Sequence, residues 1–223
     1  MAPPPATNLP DPADDWAVRT ESRLLVEAQR LAPDMGWTWR TAWAAGAAIG
    51  MSRGETELLV PAGPRDLAAL HSRACNTAAL AALAAVDPVG LKVRERIRRG
   101  VFAWLDAAVE TEAATRRWAG FLALPTHAAL GLRLAWESAD VLWIWAGDRA
   151  TDENHYSKRA LLAGILIGTL MVRLADGQAP AEAHLDRRIE GVMNFERLKG
   201  RLGRRRLGDW TAAILGRLRY GGL

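Results

Sequence analysis

Apolar residues recur at helical spacing along almost the whole chain, and no stretch alternates apolar and polar as a half-buried strand would. The pattern predicts an amphipathic helix over 17–32, stopped near Pro33, then a short helix over about 38–48. Gly50-Met51-Ser52 reads as a tight turn, with Ser52 the N-cap of a third short helix that Pro61 and Pro64 end. Further helices are predicted over 65–86, broken by Asp87-Pro88, over Leu91 to about Val109, and over about 112–123.

Two later segments carry little polar surface. Residues 126–146 confine their charge to one narrow line, Arg133, Glu137 and Asp140. After a Gly147-Asp148 turn, a helix starting near Thr151 or Asp152 has no charge between Arg159 and Arg173. A helix apolar on nearly every side is central in its bundle or lines an apolar cavity, and the residues alone leave both readings open. Gly164 and Gly168, one turn apart, admit either a close helix or a ligand. The last body helix runs from about Ala179 into the tail.

Composition sharpens this to an all-α chain. Alanine, leucine and arginine dominate its 223 residues and β-branched types are sparse. The single cysteine, Cys75, excludes an internal disulfide and reads as a small buried apolar residue. The four histidines, His71, His127, His155 and His184, lie far apart, with no His-x-x-x-His or Glu-x-x-His pair, so no metal site is expected. No nucleophile elbow or phosphate-binding glycine loop occurs, and no enzymatic activity is expected. Residues 1–16 are Pro-rich, with three aspartates and no Lys or Arg, which suits a disordered lead-in rather than a signal or transit peptide. Leu161–Val172 is too short to span a bilayer.

The net charge of +4 conceals an asymmetry. Residues 194–223 hold eight Lys and Arg against Glu196 and Asp209, a net +6, so the body is −2. Phe195, Leu198 and Leu202 share one helical face; Leu207, Trp210, Ile214 and Leu218 share another, with Arg204, Arg205 and Arg206 between. The stripe shifts or bends between Gly203 and Gly208. Such a segment is built to lie in a membrane interface, where each arginine near an anionic surface contributes about 1 kcal/mol. The expected membrane contacts are Leu198, Leu202, Arg204, Arg205, Arg206, Trp210, Ile214 and Leu218. Packing on a partner protein is the plainer alternative, and nucleic acid a third, with only Trp210 and Tyr220 there to stack on bases.

Three short helices followed by a long one resemble the N-terminal DNA-binding unit of the tetracycline-repressor family. The segment is GMSRGETELLVPAGPRDLAALHSR (50–73), in which Gly50-Met51-Ser52-Arg53-Gly54 fits that family's turn. The recognition helix departs from it: Glu55 and Glu57 would face phosphates, and Leu59-Val60-Pro61 replaces an aromatic pair. Residues 17–75 carry seven basic and six acidic side chains, without the basic face of a DNA reader. A retained fold without DNA binding is expected; a ligand-responsive transcriptional regulator is the alternative.

From Pro88 to about Val192 the chain resembles the ubiquinone (coenzyme Q) biosynthesis accessory family, the ninth of the Coq proteins. The matching pieces are LKVRERIRRGV (91–101), LALPTHAALGLRLAWESADVLWIWAGD (122–148), TDENHYSKRALLAGILIGTL (151–170) and HLDRRIEGVM (184–193). The family's Phe-Asn-Trp-Tyr block is Glu153-Asn154-His155-Tyr156 here. The resemblance implies a tetracycline-repressor-like helical bundle with a helix-turn-helix-like front and a C-terminal amphipathic helix. It divides the chain into a lead-in over 1–16, a front unit over 17–75, a lipid-binding and dimerisation domain over 76–193 and a membrane-binding tail over 194–223. It also implies a non-catalytic homodimer, peripheral on the inner membrane of a bacterial-type cell, that presents a polyprenylated quinone intermediate to the demethoxyubiquinone hydroxylase. No cofactor is implied beyond a bound lipid, quinone or isoprenoid. Under it the apolar helices line a lipid cavity, with Trp104, Leu130, Leu134, Leu142, Leu162, Ile165 and Met171 as expected lining. Asp148, Asp152, Asn154, Tyr156 and Arg159 are the expected partner contacts.

Overall fold

A computed structural model describes residues 16–148 and 153–202; within these, the side chains of 153–155 and 192–202 fall outside the description. The described residues form nine α-helices and no strand: α1 (Trp16–Met35), α2 (Trp39–Ala48), α3 (Arg53–Leu59), α4 (Pro64–Leu83), α5 (Val93–Val109), α6 (Glu112–Ala123), α7 (Ala128–Trp145), α8 (Glu153–Asp176) and α9 (Gln178–Leu202). The all-helical fold read from periodicity is the fold observed.

Local chemistry explains most boundaries. The Ser52 side chain accepts from the Glu55 backbone N–H, and the Glu55 carboxylate accepts in return from the Ser52 N–H at 2.7 Å, a complete capping box. These hydrogen bonds from Ser52, side chain first and backbone second, lower the Glu55 pKa. The Thr38 hydroxyl caps α2 by accepting from the Thr41 N–H, and Pro64 occupies the first turn of α4, where its missing N–H costs nothing. The end expected near Pro33 lies later. Pro33 removes only its own donor, and α1 continues to Met35, closed by the Gly36 N–H on the Ala32 carbonyl at 2.8 Å. Two junctions of the expected division fall inside helices, since α4 runs unbroken past residue 75 and α9 past residue 193.

Helix α1 packs on α4 and α6, α2 on α1 and α4, and α3 on α2; α4, α5, α7 and α8 form the central bundle, and α9 lies on α8 and α5. The core runs through both regions, from Leu24 and Leu67 to Val101, Leu105, Leu134, Leu142, Leu166 and Leu185, each 0–1% exposed. Gly168 serves close approach: a Cβ there would sit 3.3 Å from Nε2 of His184 on α9. Gly46 holds α2 against α3. A Cβ there would overlap the Thr56 hydroxyl and lie 3.1 Å from Thr56 Cβ, while Thr56 is fully buried. Gly46→Ala should therefore destabilise the protein by about 1–3 kcal/mol despite alanine's better helix propensity. Urea unfolding of the variant checks this; unchanged or raised stability would contradict it.

Candidate functional site: an apolar cavity among five helices

Helices α4 to α8 enclose a cavity of about 290 Å³. Its floor is buried: Ser72 from α4, Trp104 from α5, Trp118 from α6, and Ser138 and Leu166 from α7 and α8, all at 6% exposure or less. Its mouth is open and apolar, framed by Leu132 of α7 and Ile167 and Met171 of α8, at 64%, 40% and 44% exposure. Small residues make the space, with Ala128, Gly131 and Ala135 on one face of α7 and Ala119 on α6. Both floor tryptophans are anchored by their indole N–H groups. Trp104 donates to Asn76 Oδ1 at 2.9 Å and Trp118 to the Ala68 carbonyl at 3.0 Å, so each turns only ring surface to the cavity.

Of the seven residues expected to line a lipid cavity, Trp104 and Met171 stand in its wall. Leu130, Leu134, Leu142, Leu162 and Ile165 are packed in the core at 1–6% exposure and are not part of that wall. The wall is instead the neighbouring face of the same two helices, carried by Gly131, Leu132, Ala135 and Ser138 on α7 and by Leu166, Ile167 and Leu170 on α8. Sequence reading passed over Ser72, Trp118 and Ser138. The available signal was the run of small residues at helical spacing, 128, 131, 135 and 138, beside the bulky face.

The expected partner contacts divide. Tyr156 is 66% exposed at the hairpin end of α8, tilted against Trp136 with ring centroids 6.1 Å apart. Arg159 points inward, 2% exposed, with its guanidinium on Asp140 and 3.5 Å from Asp148. Lys158 also reaches Asp148 at 3.0 Å. This ionic corner ties α7 to α8, so Arg159 and Asp148 brace the surface that Tyr156 presents. Asp152 and the Asn154 side chain lie outside the described residues. So do the expected membrane contacts, except that Leu198 and Leu202 fall on α9, their side chains undescribed.

At the front, the one cation of α3 is already engaged. Arg53 lies 3.4 Å over the Trp43 ring and 3.2 Å from Glu57, while Trp43 donates its indole N–H to Glu57 at 3.0 Å. Behind it, His71 joins the front unit to the bundle. Gln29 Nε2 lies 3.0 Å from Nδ1 of His71, Nε2 of His71 lies 3.0 Å from the Thr115 hydroxyl, and Thr115 donates to the Ala108 carbonyl. Trp37 and Trp118 flank the imidazole at 5.3 and 5.2 Å. Burial lowers the His71 pKa to about 4 and, with a smaller push from Glu110, raises that of Cys75 to about 12, which leaves the thiol protonated and unreactive. Among the described residues no three His, Cys, Asp or Glu side chains converge as metal ligands, and no helix is long and apolar enough to cross a membrane.

The α7 and α8 walls of the cavity lie within the part of the chain that a known family model matches. The COQ9 family model matches residues 128–196, covering α7, α8 and most of α9. The rat protein "Ubiquinone biosynthesis protein COQ9, mitochondrial" is 29% identical over 186 residues, which is 78% of this chain and 59% of that protein. The human protein of the same name is 26% identical over 186 residues, 78% of this chain and 58% of that protein. COQ9-A of Xenopus laevis is 35% identical over 79 residues, 34% of this chain and 25% of that protein. The chain thus spans somewhat under two thirds of the length of the rat and human proteins. Among solved structures, the TetR transcriptional regulator from Nitrosomonas europaea ATCC 19718 superposes with a TM-score of 0.58 at 15% identity, over 77% of this chain and 95% of that one, a likeness of fold. Residues 128–196 thus match the COQ9 family model, and the chain is similar to COQ9 proteins over 78% of its length on a fold like that of a TetR regulator.

Proposed function

We propose that this chain is a non-catalytic lipid-binding accessory protein in ubiquinone biosynthesis, which takes a polyprenylated quinone intermediate from a membrane and presents it to a membrane-associated hydroxylase. The observation that carries the reading is the cavity of about 290 Å³, walled almost wholly by apolar side chains and open through an exposed apolar mouth. Pockets for small molecules span about 300–1,000 Å³, so this one takes part of a lipid rather than a whole polyprenyl chain. An apolar mouth facing water is unfavourable, whereas each methylene buried there contributes about 0.8 kcal/mol. In this reading the basic tail over 194–223 docks the chain peripherally on an anionic membrane, and the hydroxylase meets the hairpin end, where Tyr156, Ile144 and Leu161 are 66%, 61% and 49% exposed. A homodimer is part of the same proposal.

Organic extraction and mass spectrometry of the purified protein test the reading. Recovery of a quinone or isoprenoid in near-stoichiometric amount is expected. The chain shortened by residues 197–223 should keep the fold of residues 17–192 and lose binding to anionic liposomes at low salt. A protein that comes out empty and ignores such liposomes would refute the proposal.

A further inference from the structure

The cavity has an unusual floor. Apart from the two anchored indoles, its wall contains two polar side chains, Ser72 and Ser138. They are 1% and 0% exposed, and among the described residues neither hydroxyl has a hydrogen-bond partner. Helical serines commonly give their proton to the carbonyl one turn back; Thr169 does so in this protein, to Ile165 at 2.7 Å, and these two serines do not. A buried hydroxyl without a partner is destabilising, and two on one apolar cavity floor mark a place where a bound group completes the hydrogen bonding.

We infer that the cavity binds its ligand head first: an oxygen-bearing six-membered ring sits on Ser72 and Ser138, and the hydrocarbon chain leaves past Leu132, Ile167 and Met171. This rests on the lipid-binding reading above and adds which end of the molecule enters and what recognises it. Volume agrees. An apolar cavity of about 150 Å³ holds benzene, so about 290 Å³ accommodates a substituted ring with the first few carbons of its chain. Polarity sets the direction. A chain inserted first would leave both hydroxyls facing hydrocarbon and the ring oxygens at the mouth. A ring inserted first lets both hydroxyls donate to its oxygens, while Trp104 and Trp118 offer ring surface beside it.

The test compares a decyl-substituted benzoquinone with decylbenzene, which has the same chain on a ring without oxygen. Each is titrated as a competitor of an anilinonaphthalene dye on the full-length protein. Ser72→Ala and Ser138→Ala are each expected to weaken the quinone about fivefold and to leave decylbenzene within about twofold of wild type. Both variants should melt at or above the wild-type temperature, because no hydrogen bond is removed, so a loss of binding cannot be put down to unfolding. If both ligands bind wild type and neither variant discriminates between them, the head-first assignment fails and the lipid-binding reading survives. If wild type binds neither ligand, both readings fail.

Discussion

Arg159→Met will lower the stability of the protein by about 3 kcal/mol, a drop in melting temperature of about 6–12 °C for a chain of this size. Arg159 is 2% exposed and sits between two carboxylates, Asp140 on α7 and Asp148 beyond its end. Removing one partner of a buried pair destabilises by about 3–5 kcal/mol, chiefly by leaving charge of one sign in a poorly solvated place. The lower end applies because Asp140 is 36% exposed and Asp148 keeps its contact with Lys158. A double-mutant cycle with Asp140→Asn checks the mechanism: the pair of changes should be less harmful than the sum of the singles by more than about 1 kcal/mol. Strict additivity would mean that the corner does not act as a unit. Lys at this position would not substitute, since it lacks the planar fork that can address two carboxylates at once.

Acidification should remove a similar amount through His71. The folded protein holds this imidazole neutral, with a pKa of about 4 against an ordinary 6.5. Between those values the unfolded chain takes up a proton that the folded chain refuses, so stability rises with pH across the window and is lost as pH falls through it. The full difference is about 3 kcal/mol, absent at pH 7 and complete near pH 4. The hydrogen bonds point the same way: Gln29 donates to Nδ1 and the Nε2 proton goes to Thr115, so a second proton has no acceptor waiting. Surface carboxylates also titrate in this range, so His71→Gln serves as the reference. Urea unfolding at pH 7, 5.5 and 4.5 should show a steeper loss for wild type than for the variant. Equal slopes would place the acid sensitivity elsewhere.

Sequence periodicity located the helices well wherever breakers and caps agreed with it. The helix over 112–123 and the Ser52 cap are observed as expected, and the Ser52 capping box and the proline at the start of α4 act within one turn. What periodicity could not supply was the orientation of helices that are apolar all round. Residues 160–172 contain no charge to mark an outer face. The bulky Leu130, Leu134, Leu142, Leu162 and Ile165 therefore looked equally suited to a cavity wall and a core, and the fold buries them in the core. Size was the better guide, since a cavity borders the positions that have least to fill it. Arg159 raised the same difficulty in polar form. Its carboxylate partner Asp140 is 19 residues away on another helix, so nothing local turned it inward. The His71 network joins residues 42 and 44 apart and was equally out of reach.

The contacts around His71 show what the helix-turn-helix-like front unit contributes to the bundle. Trp37 donates to the Ala114 carbonyl at 3.1 Å, Arg117 donates to the Pro33 carbonyl at 2.9 Å, and Gln29 meets His71. Helix α1 and the turn after it therefore finish the inner surface of α4 and α6, the helices that bring Ser72 and Trp118 to the cavity floor. Shorn of that front unit, the bundle would present Trp118 and His71 to water. The front of this molecule is held in place by the back of it.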